Sequence, residues 1–306
     1  MRAYVAGRLA TAVLVILGVS VVSFFLTFLT GDPAEIMLPP GATAAQIEQF
    51  RARVGLRRSP ARAVLALPEA SGARRLRRSR CGTASQSLPL IVARLPATLQ
   101  LTVTAMLLAI VLAVPLGVLA ATHRGGPIDF LAMGVALVGQ SVPNFWLAIM
   151  MILLFAVSWG LLPTSGRGGV AHVVMPAAAI AINLMALLTR LVRSTMIEML
   201  SEDYVRTARA KGLRELFVTS RHALPNALIP LVTVVGLQFG YILGGAVVIE
   251  TIFTWPGVGL FTIQAILNRD YPVVQAAVFI LATAVVLINL TVDLLYVWLD
   301  PRIRLT

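Results

Sequence analysis

Few residues in this 306-residue chain are of the types that carry out chemistry. Its only lysine is Lys211 and its only cysteine is Cys81. An ATP-binding phosphate loop needs a lysine between a glycine and a serine or threonine, whereas Lys211 lies between Ala210 and Gly212. The three histidines are far apart in sequence, and a single cysteine excludes a disulfide framework. No catalytic residue and no metal site can be nominated, so an enzyme is not expected.

Polar residues within the long apolar segments are neutral. An ion-coupled carrier would usually place ionisable groups in the middle of the membrane. Here Glu250 and Asp293 lie near the ends of their segments instead. The neutral residues either form hydrogen bonds between helices or line a polar pathway, and both interpretations stay open. The candidates for lining a pathway are Gln140, Ser141, Asn144, Asn183 and Gln238.

The composition places these residues on membrane-spanning helices. Hydrophobic residues make up 58% of the chain and charged residues 12%, whereas soluble domains are about a quarter charged. A helix of about 20 apolar residues crosses a bilayer. Six stretches of that kind predict an all-α membrane protein with six transmembrane helices: 10–29, 99–121, 131–157, 173–191, 228–249 and 274–298.

The distribution of basic residues predicts the orientation. With both termini in the cytoplasm, the inner short loops carry twelve Lys and Arg residues and the outer ones carry two. The chain then divides into the first helix (1–29), an external loop (30–95) and a five-helix core (96–306). Within the loop, 19 of the 24 residues over 57–80 are Ala, Arg, Ser, Pro or Gly. That segment is either disordered and basic or a frameshifted stretch.

The most patterned polar segment, 190–227, is predicted to be a cytoplasmic loop. Ser201 is predicted to N-cap a short helix that Gly212 ends in a left-handed conformation. A second short helix is predicted over 213–223, ended by Pro225. The loop either lies on anionic lipid or docks a cytoplasmic partner. The charges that match the dipole of the first helix are Glu202, Asp203, Arg209 and Lys211.

The sequence DYVRTARAKGL, which starts at Asp203, resembles the cytoplasmic loop of bacterial ABC importer permeases. In that superfamily the loop reads EAA, three residues, then glycine. Arg206, Thr207 and Ala208 occupy the EAA positions, and Gly212 the glycine. The first two depart from the strict motif, as is common in the dipeptide/oligopeptide (and nickel) branch. Further stretches are similar to the first permease subunit of that branch: GDP at 31–33, RLPAT at 94–98, GQSVPNF at 139–145, ETIFTWPGVG at 250–259 and LDPRIR at 299–304.

This resemblance implies a type I ABC importer permease fold in the bacterial cytoplasmic (inner) membrane. The implied partners are a second homologous permease subunit, two cytoplasmic ATPase subunits or domains, an external solute-binding protein and membrane lipid, with no nucleic acid. ATP and Mg would be held by the ATPases, and this chain would bind no cofactor. Short peptides are the expected cargo. Nickel chelates, glutathione or another small solute are alternatives, and a stand-alone secondary carrier is the alternative from another class.

Two segments have expected roles in such a permease. The segment 201–212 would carry force from the ATPases to the spans. Glu250 is expected at the external end of the fifth span, with a loop beyond it, because proline and glycine cannot continue a lipid-facing helix. The loop would be either a gate that touches the binding protein or an interfacial turn anchored by its tryptophan. The loop residues are Trp255, Pro256 and Gly257; the coupling residues are Ser201, Asp203, Arg206, Thr207, Ala208, Arg209, Lys211 and Gly212.

Overall fold

A computed structural model describes residues 2–29, 43–46, 49, 84–268 and 270–299. Over these residues the backbone is helical apart from turns and the irregular segment 159–169, which confirms the predicted all-α class. The anomalous segment 57–80 and most of the predicted external loop lie outside the described residues. The helices are α1 (Arg2–Leu29), α2 (Ala84–Val92), α3 (Leu95–Thr122), α4 (Pro127–Ser141), α5 (Asn144–Met151), α6 (Val170–Ser201), α7 (Asp203–Ala210), α8 (Glu215–Phe217), α9 (Leu224–Ile252), α10 (Val258–Leu267) and α11 (Tyr271–Leu299).

Several of these helices are long and apolar enough to cross a bilayer. The described residues contain four such helical stretches, or five if the bent pair α4 and α5 counts as one span. Helix α1 has 28 residues, and its stretch Ala10–Val22 is apolar. The count of six spans and the cytoplasmic termini therefore remain predictions. The four stretches are Ser87–Thr122, Val170–Ser201, Glu215–Ile252 and Pro272–Val292.

The third predicted span is broken. The axes of α4 and α5 differ by 98°, so the prediction of one continuous helix over 131–157 is wrong. Val142 has extended backbone angles, φ −83° and ψ 125°, because the residue before a proline is disfavoured in the α conformation. Pro143 is also extended, with φ −63° and ψ 135°. Beyond the break, α5 continues into the wider π-helical segment Ile152–Ser158.

The described residues group into two compact units. One lies within Met1–Pro96 and Gly257–Leu290, and the other within Ala97–Pro256 and Thr291–Thr306. In the first unit, apolar side chains of α2, α10 and α11 form a small core. Its buried members are Ile91, Val258, Ala265, Val273, Ala276, Ala277 and Ile280.

The second unit has a larger core built from α3, α6 and α9. The face of α3 that it buries consists mostly of small residues. A Cβ added at Gly117 would lie 2.7 Å from Val192 Cβ and 2.9 Å from the Thr189 carbonyl oxygen, so the α3 and α6 backbones nearly touch. Small residues allow such close approach between helices in a membrane. The small buried residues of α3 are Ala97, Ala105, Ala109, Ala113, Gly117, Ala120 and Ala121.

Candidate functional site

Helix α7 is a short amphipathic helix attached to the end of α6. It begins after Glu202, whose extended backbone (φ −67°, ψ 150°) separates it from α6. Val205 and Ala208 are buried in the large core of the second unit. On the other side, Arg206 and Asp203 form an exposed ion pair of 3.2 Å. One face of α7 is therefore anchored to the bundle while the other is open to contact.

The start of α7 differs from the prediction. Ser201 is the last residue of α6 and not an N-cap, and its hydroxyl donates to the Glu198 carbonyl at 2.7 Å. Glu202 occupies the N-cap position without a side-chain capping bond. A serine hydroxyl bonded back to its own helix cannot cap the next one. The predicted capping role of Ser201 is therefore wrong.

The end of α7 has the predicted left-handed glycine. Gly212 has a φ of +79°, and its N–H donates to the Arg209 carbonyl at 2.9 Å. The N–H of Lys211 bonds to the Thr207 carbonyl at 3.1 Å, which closes the last turn. The side chains of Thr207 and Lys211 are exposed. The motif spacing thus places a glycine where a side chain would strain the backbone.

Arg209 connects α7 with the chain on both sides. Its Nε donates to Glu215 Oε1 at 2.7 Å, and its Nη1 donates to the Leu200 carbonyl at 3.3 Å. Glu215 begins α8, and Leu200 lies in the last turn of α6. Arg209 therefore fixes α7 relative to the two helices that flank it.

The predicted second short helix is wrong in its extent. Helix α8 passes through the π-helical segment Val218–Ala223 directly into α9, so one helical path runs over Glu215–Ile252. Pro225 lies in the first turn of α9 and does not end a helix. The π-helical segment just before Pro225 already interrupts the usual hydrogen-bond pattern, so the missing N–H of the proline does not end the helical path.

All five residues predicted to line a pathway border one cavity of about 330 Å³. It is formed by the bend between α4 and α5 together with parts of α6 and α9, and none of its lining residues is charged. Asn183 Nδ2 donates to the Gln140 carbonyl at 3.3 Å. The Oδ1 atom of Asn144 is buried and has no hydrogen-bond partner among the described residues. Amide groups from separate helices thus meet in one cavity, and one of them, Asn144, has an amide oxygen that can still accept a hydrogen bond.

The end of α9 is fixed by two buried polar contacts. Glu250 is 0% exposed and accepts a hydrogen bond of 2.6 Å from the Thr98 hydroxyl. Trp255 is also 0% exposed, and its indole N–H donates to the Ala97 carbonyl at 2.9 Å. This burial argues against an interfacial anchor, because Trp255 lies in the protein core. Pro256 and Thr254 are exposed, so they are the parts of this turn that a partner could touch.

Gly257 is buried and precedes α10 with extended backbone angles.

In the described part of the chain, no three His, Cys, Asp or Glu residues lie together in a way that could hold a metal ion.

Sequence reasoning missed one contact, the ion pair between Asp129 and Arg193. Asp129 is in the first turn of α4 and Arg193 is near the end of α6, 64 positions later. The available signal was an acidic residue just before an apolar span and an arginine just after another. Nothing in the sequence indicated that the two ends meet.

The described residues form a helical bundle with one broken span, an amphipathic helix between two spans and an uncharged cavity. These features are those of a membrane-embedded permease. The chain belongs to the family of binding-protein-dependent transport system inner membrane components, whose family model matches residues 113–305. The family resemblance seen in the sequence motifs is thereby confirmed. The chain is a permease subunit of the bacterial inner membrane.

Sequence similarity to named transport permeases supports this membership. The dipeptide transport system permease protein DppB of Escherichia coli (strain K12) is 45% identical over 244 residues, covering 70% of this chain and 72% of that protein. DppB of Alkalihalophilus pseudofirmus is 38% identical and covers 99% of this chain and 100% of that protein. The glutathione transport system permease protein GsiC of E. coli (strain K12) is 38% identical, with 99% of each chain covered.

Solved structures support the fold. An inward-facing structure of the MetNI methionine ABC transporter superposes with a TM-score of 0.61 at 19% identity, covering 70% of this chain and 98% of that chain. A crystal structure of an amino acid ABC transporter with histidines gives a TM-score of 0.53 at 18% identity, covering 71% and 96% of the two chains. The fold is that of an ABC importer permease.

Proposed function

We propose that this chain forms half of the pathway through which an ATP-driven importer carries short peptides. The observation that carries the proposal is the 45% identity to the dipeptide permease of E. coli. Glutathione is the alternative with a specific observation behind it, because a glutathione permease is 38% identical over 99% of this chain. Glutathione is itself a tripeptide, so both cargoes present amide and carboxylate groups to the pathway.

The cavity chemistry supports a peptide cargo. Its volume of about 330 Å³ falls in the range of about 300–1,000 Å³ that is typical of small-molecule sites. Side-chain amides offer both donors and acceptors, which match the N–H and C=O groups of a peptide. Asn144, Asn183 and Gln238 supply such amides from three different helices. Peptides of different sequence share these backbone groups, so such a cavity would accept many of them.

The exposed face of α7 supports coupling to ATPases. In the proposed importer, two ATPase subunits or domains bind ATP and Mg and press on the segment 201–212 as they close. The spans then rock so that the pathway opens outward, and hydrolysis resets it. A second homologous permease subunit completes the pathway. An external solute-binding protein delivers cargo near the turn at Pro256, which is exposed together with Thr251 and Thr254.

Uptake measurements in the native host test the cargo. Cells that lack this chain should lose ATP-dependent uptake of a radiolabelled dipeptide, and plasmid-borne chain should restore it. Uptake of labelled glutathione and of nickel should be unchanged. Loss of glutathione or nickel uptake with intact dipeptide uptake would replace the peptide assignment by the corresponding alternative.

One substitution tests the cavity in the same cells. Gln238→Leu replaces a cavity amide by an apolar group of similar size and should reduce dipeptide uptake at equal expression. Gln264→Leu is the matched control, because Gln264 is an exposed glutamine on α10 and does not line the cavity. Equal uptake by the two variants would show that the Gln238 amide does not contact cargo.

A further inference from the structure

Helices α4 and α6 are joined near one end by a bidentate ion pair. Arg193 Nε lies 2.5 Å from Asp129 Oδ1, and Arg193 Nη2 lies 2.8 Å from Asp129 Oδ2. The N–H of Gly125, just before α4, donates to the same Oδ2 at 2.8 Å. Asp129 is only 5% exposed. A guanidinium fork and a carboxylate fit each other in one orientation, so this pair fixes direction as well as distance.

A second attachment joins the same two helices at the cavity. Asn183 Nδ2 of α6 donates to the Gln140 carbonyl of α4. Beside it, a Cβ added at Gly139 would lie 3.4 Å from the Ile182 carbonyl oxygen, so the backbones are close there as well. At 1.5 Å of rise per residue, Asp129 and Gln140 are about 16 Å apart along α4. Two attachments so far apart make α4 and α6 one rigid body.

The same body includes α7. Only Glu202 separates α6 from α7. Arg209 of α7 donates to the Leu200 carbonyl at the end of α6, and Val205 is 0% exposed in the shared core. A displacement of α7 therefore moves α6 and, through the Asp129 and Arg193 side chains, the start of α4.

The other end of α4 is the bend at Val142 and Pro143. Gln140 and Asn144 lie on either side of this bend and line the cavity. Hinges in proteins are a few residues at the ends of elements that absorb changes in backbone angle. Ala148 of α5 is buried in the same core, so any difference between the movements of α4 and α5 falls on this bend and alters the cavity.

We infer that Asp129 and Arg193 are positioning residues of the transport cycle, which make α4 follow α6 so that movement of α7 reaches the cavity. The inference rests on the proposed function, because it requires α7 to be moved by ATPases. Neither side chain lines the cavity. Their contribution is the fixed orientation between two helices that, among the described residues, are otherwise joined by apolar packing and the hydrogen bond from Asn183 to the Gln140 carbonyl.

The test uses the whole importer, purified from its host through a tag on this chain and reconstituted in lipid vesicles. The variants are Arg193→Lys, Asp129→Asn and the double variant Asp129→Asn/Arg193→Gln. Arg124→Lys is the matched control. Arg124 is an exposed arginine next to Gly125, whose N–H binds Asp129. The measured quantity is the number of ATP molecules hydrolysed per dipeptide imported. A merely structural defect lowers the amount of assembled complex and leaves this ratio unchanged.

The single variants should raise the ratio about 2- to 30-fold, as expected for residues that modulate coupling between sites. The control should match the native importer. The double variant should be no worse than the worse single variant, since both remove the same interaction. An unchanged ratio in assembled single variants, or additive defects in the double variant, would overturn the inference.

A second measurement does not depend on the cargo. In a background without the native cysteine, Ser141→Cys at the cavity should change its reactivity with a maleimide when ATP and vanadate are added. Adding Arg193→Lys should abolish that change, whereas adding Arg124→Lys should not. A retained change with Arg193→Lys would contradict the role of the ion pair. A change in the Ser141→Cys importer, together with a native importer that imports no dipeptide, would refute the peptide proposal alone.

Discussion

Replacing Gly212 tests whether the end of α7 must be left-handed. Gly212 has a φ of +79°, and a Cβ built on it meets no atom within 4 Å. A side chain there has room, so the penalty of a substitution comes from the backbone alone. Holding a β-branched residue in this conformation costs about 1–2 kcal/mol. That is a factor of about 5 to 30 in an equilibrium constant.

The affinity of the ATPase subunits for the purified permease pair is the quantity to measure. Gly212→Val should insert and pair with the second permease normally, because no buried contact changes. It should bind the ATPases about 5- to 30-fold more weakly, because the strain must be borne in the docked state or the turn must reshape. Gly212→Asn is the matched control. Asparagine adopts the left-handed region far more readily than valine, so its affinity should stay near the native value.

Two results would refute this reasoning. Native affinity and native transport with Gly212→Val would show that the loop does not couple the ATPases to the spans. The lipid-binding interpretation of its basic residues would then be the better one. An equal loss with Val and Asn would show that the side chain itself obstructs docking, so that backbone strain is not the cause.

Trp255→Phe should lower the free energy of unfolding by about 1–3 kcal/mol, because it removes a buried hydrogen bond and some core volume. Trp146→Phe, at a tryptophan that is 46% exposed, should change it by less than about 0.5 kcal/mol, and equal effects in a detergent melting assay would contradict the buried role. For orientation, cysteines at Ser165 and Asn268 should react with a membrane-impermeant thiol reagent in intact cells, whereas one at Ser220 should not. Labelling at Ser220 alone would reverse the predicted topology.

The sequence was sufficient for features that depend on local chemistry. Long apolar runs require helices in a membrane, and a glycine after a basic turn predicts a left-handed helix end, as at Gly212. The neutral residues that share the cavity could also be selected in advance, because polar groups within apolar spans are few. Their meeting in one cavity could not be derived, since it depends on how α4, α6 and α9 pack.

The errors arose where two local signals competed. The apolar residues over 131–157 indicated one span, and Pro143 within it was not interpreted as a helix end. The break between α4 and α5 was therefore not predicted. At Ser201 the cap signal was strong, but the hydroxyl bonded back to Glu198 within its own helix. At Pro225 the proline was interpreted as the end of a helix, although it follows a π-helical segment in which the usual hydrogen-bond pattern is already interrupted.

The small buried face of α3 has a consequence for the entropy of assembly. Alanine and glycine have no rotamers to lose, so bringing α3 against α6 freezes very little side-chain motion. Lipid tails are as apolar as the core, which leaves close contact rather than the expulsion of water to hold the helices together. A valine in place of Gly117 would therefore be unfavourable twice. It would force the backbones apart where an added Cβ already meets Val192, and it would introduce a side chain whose freedom the interface must restrict.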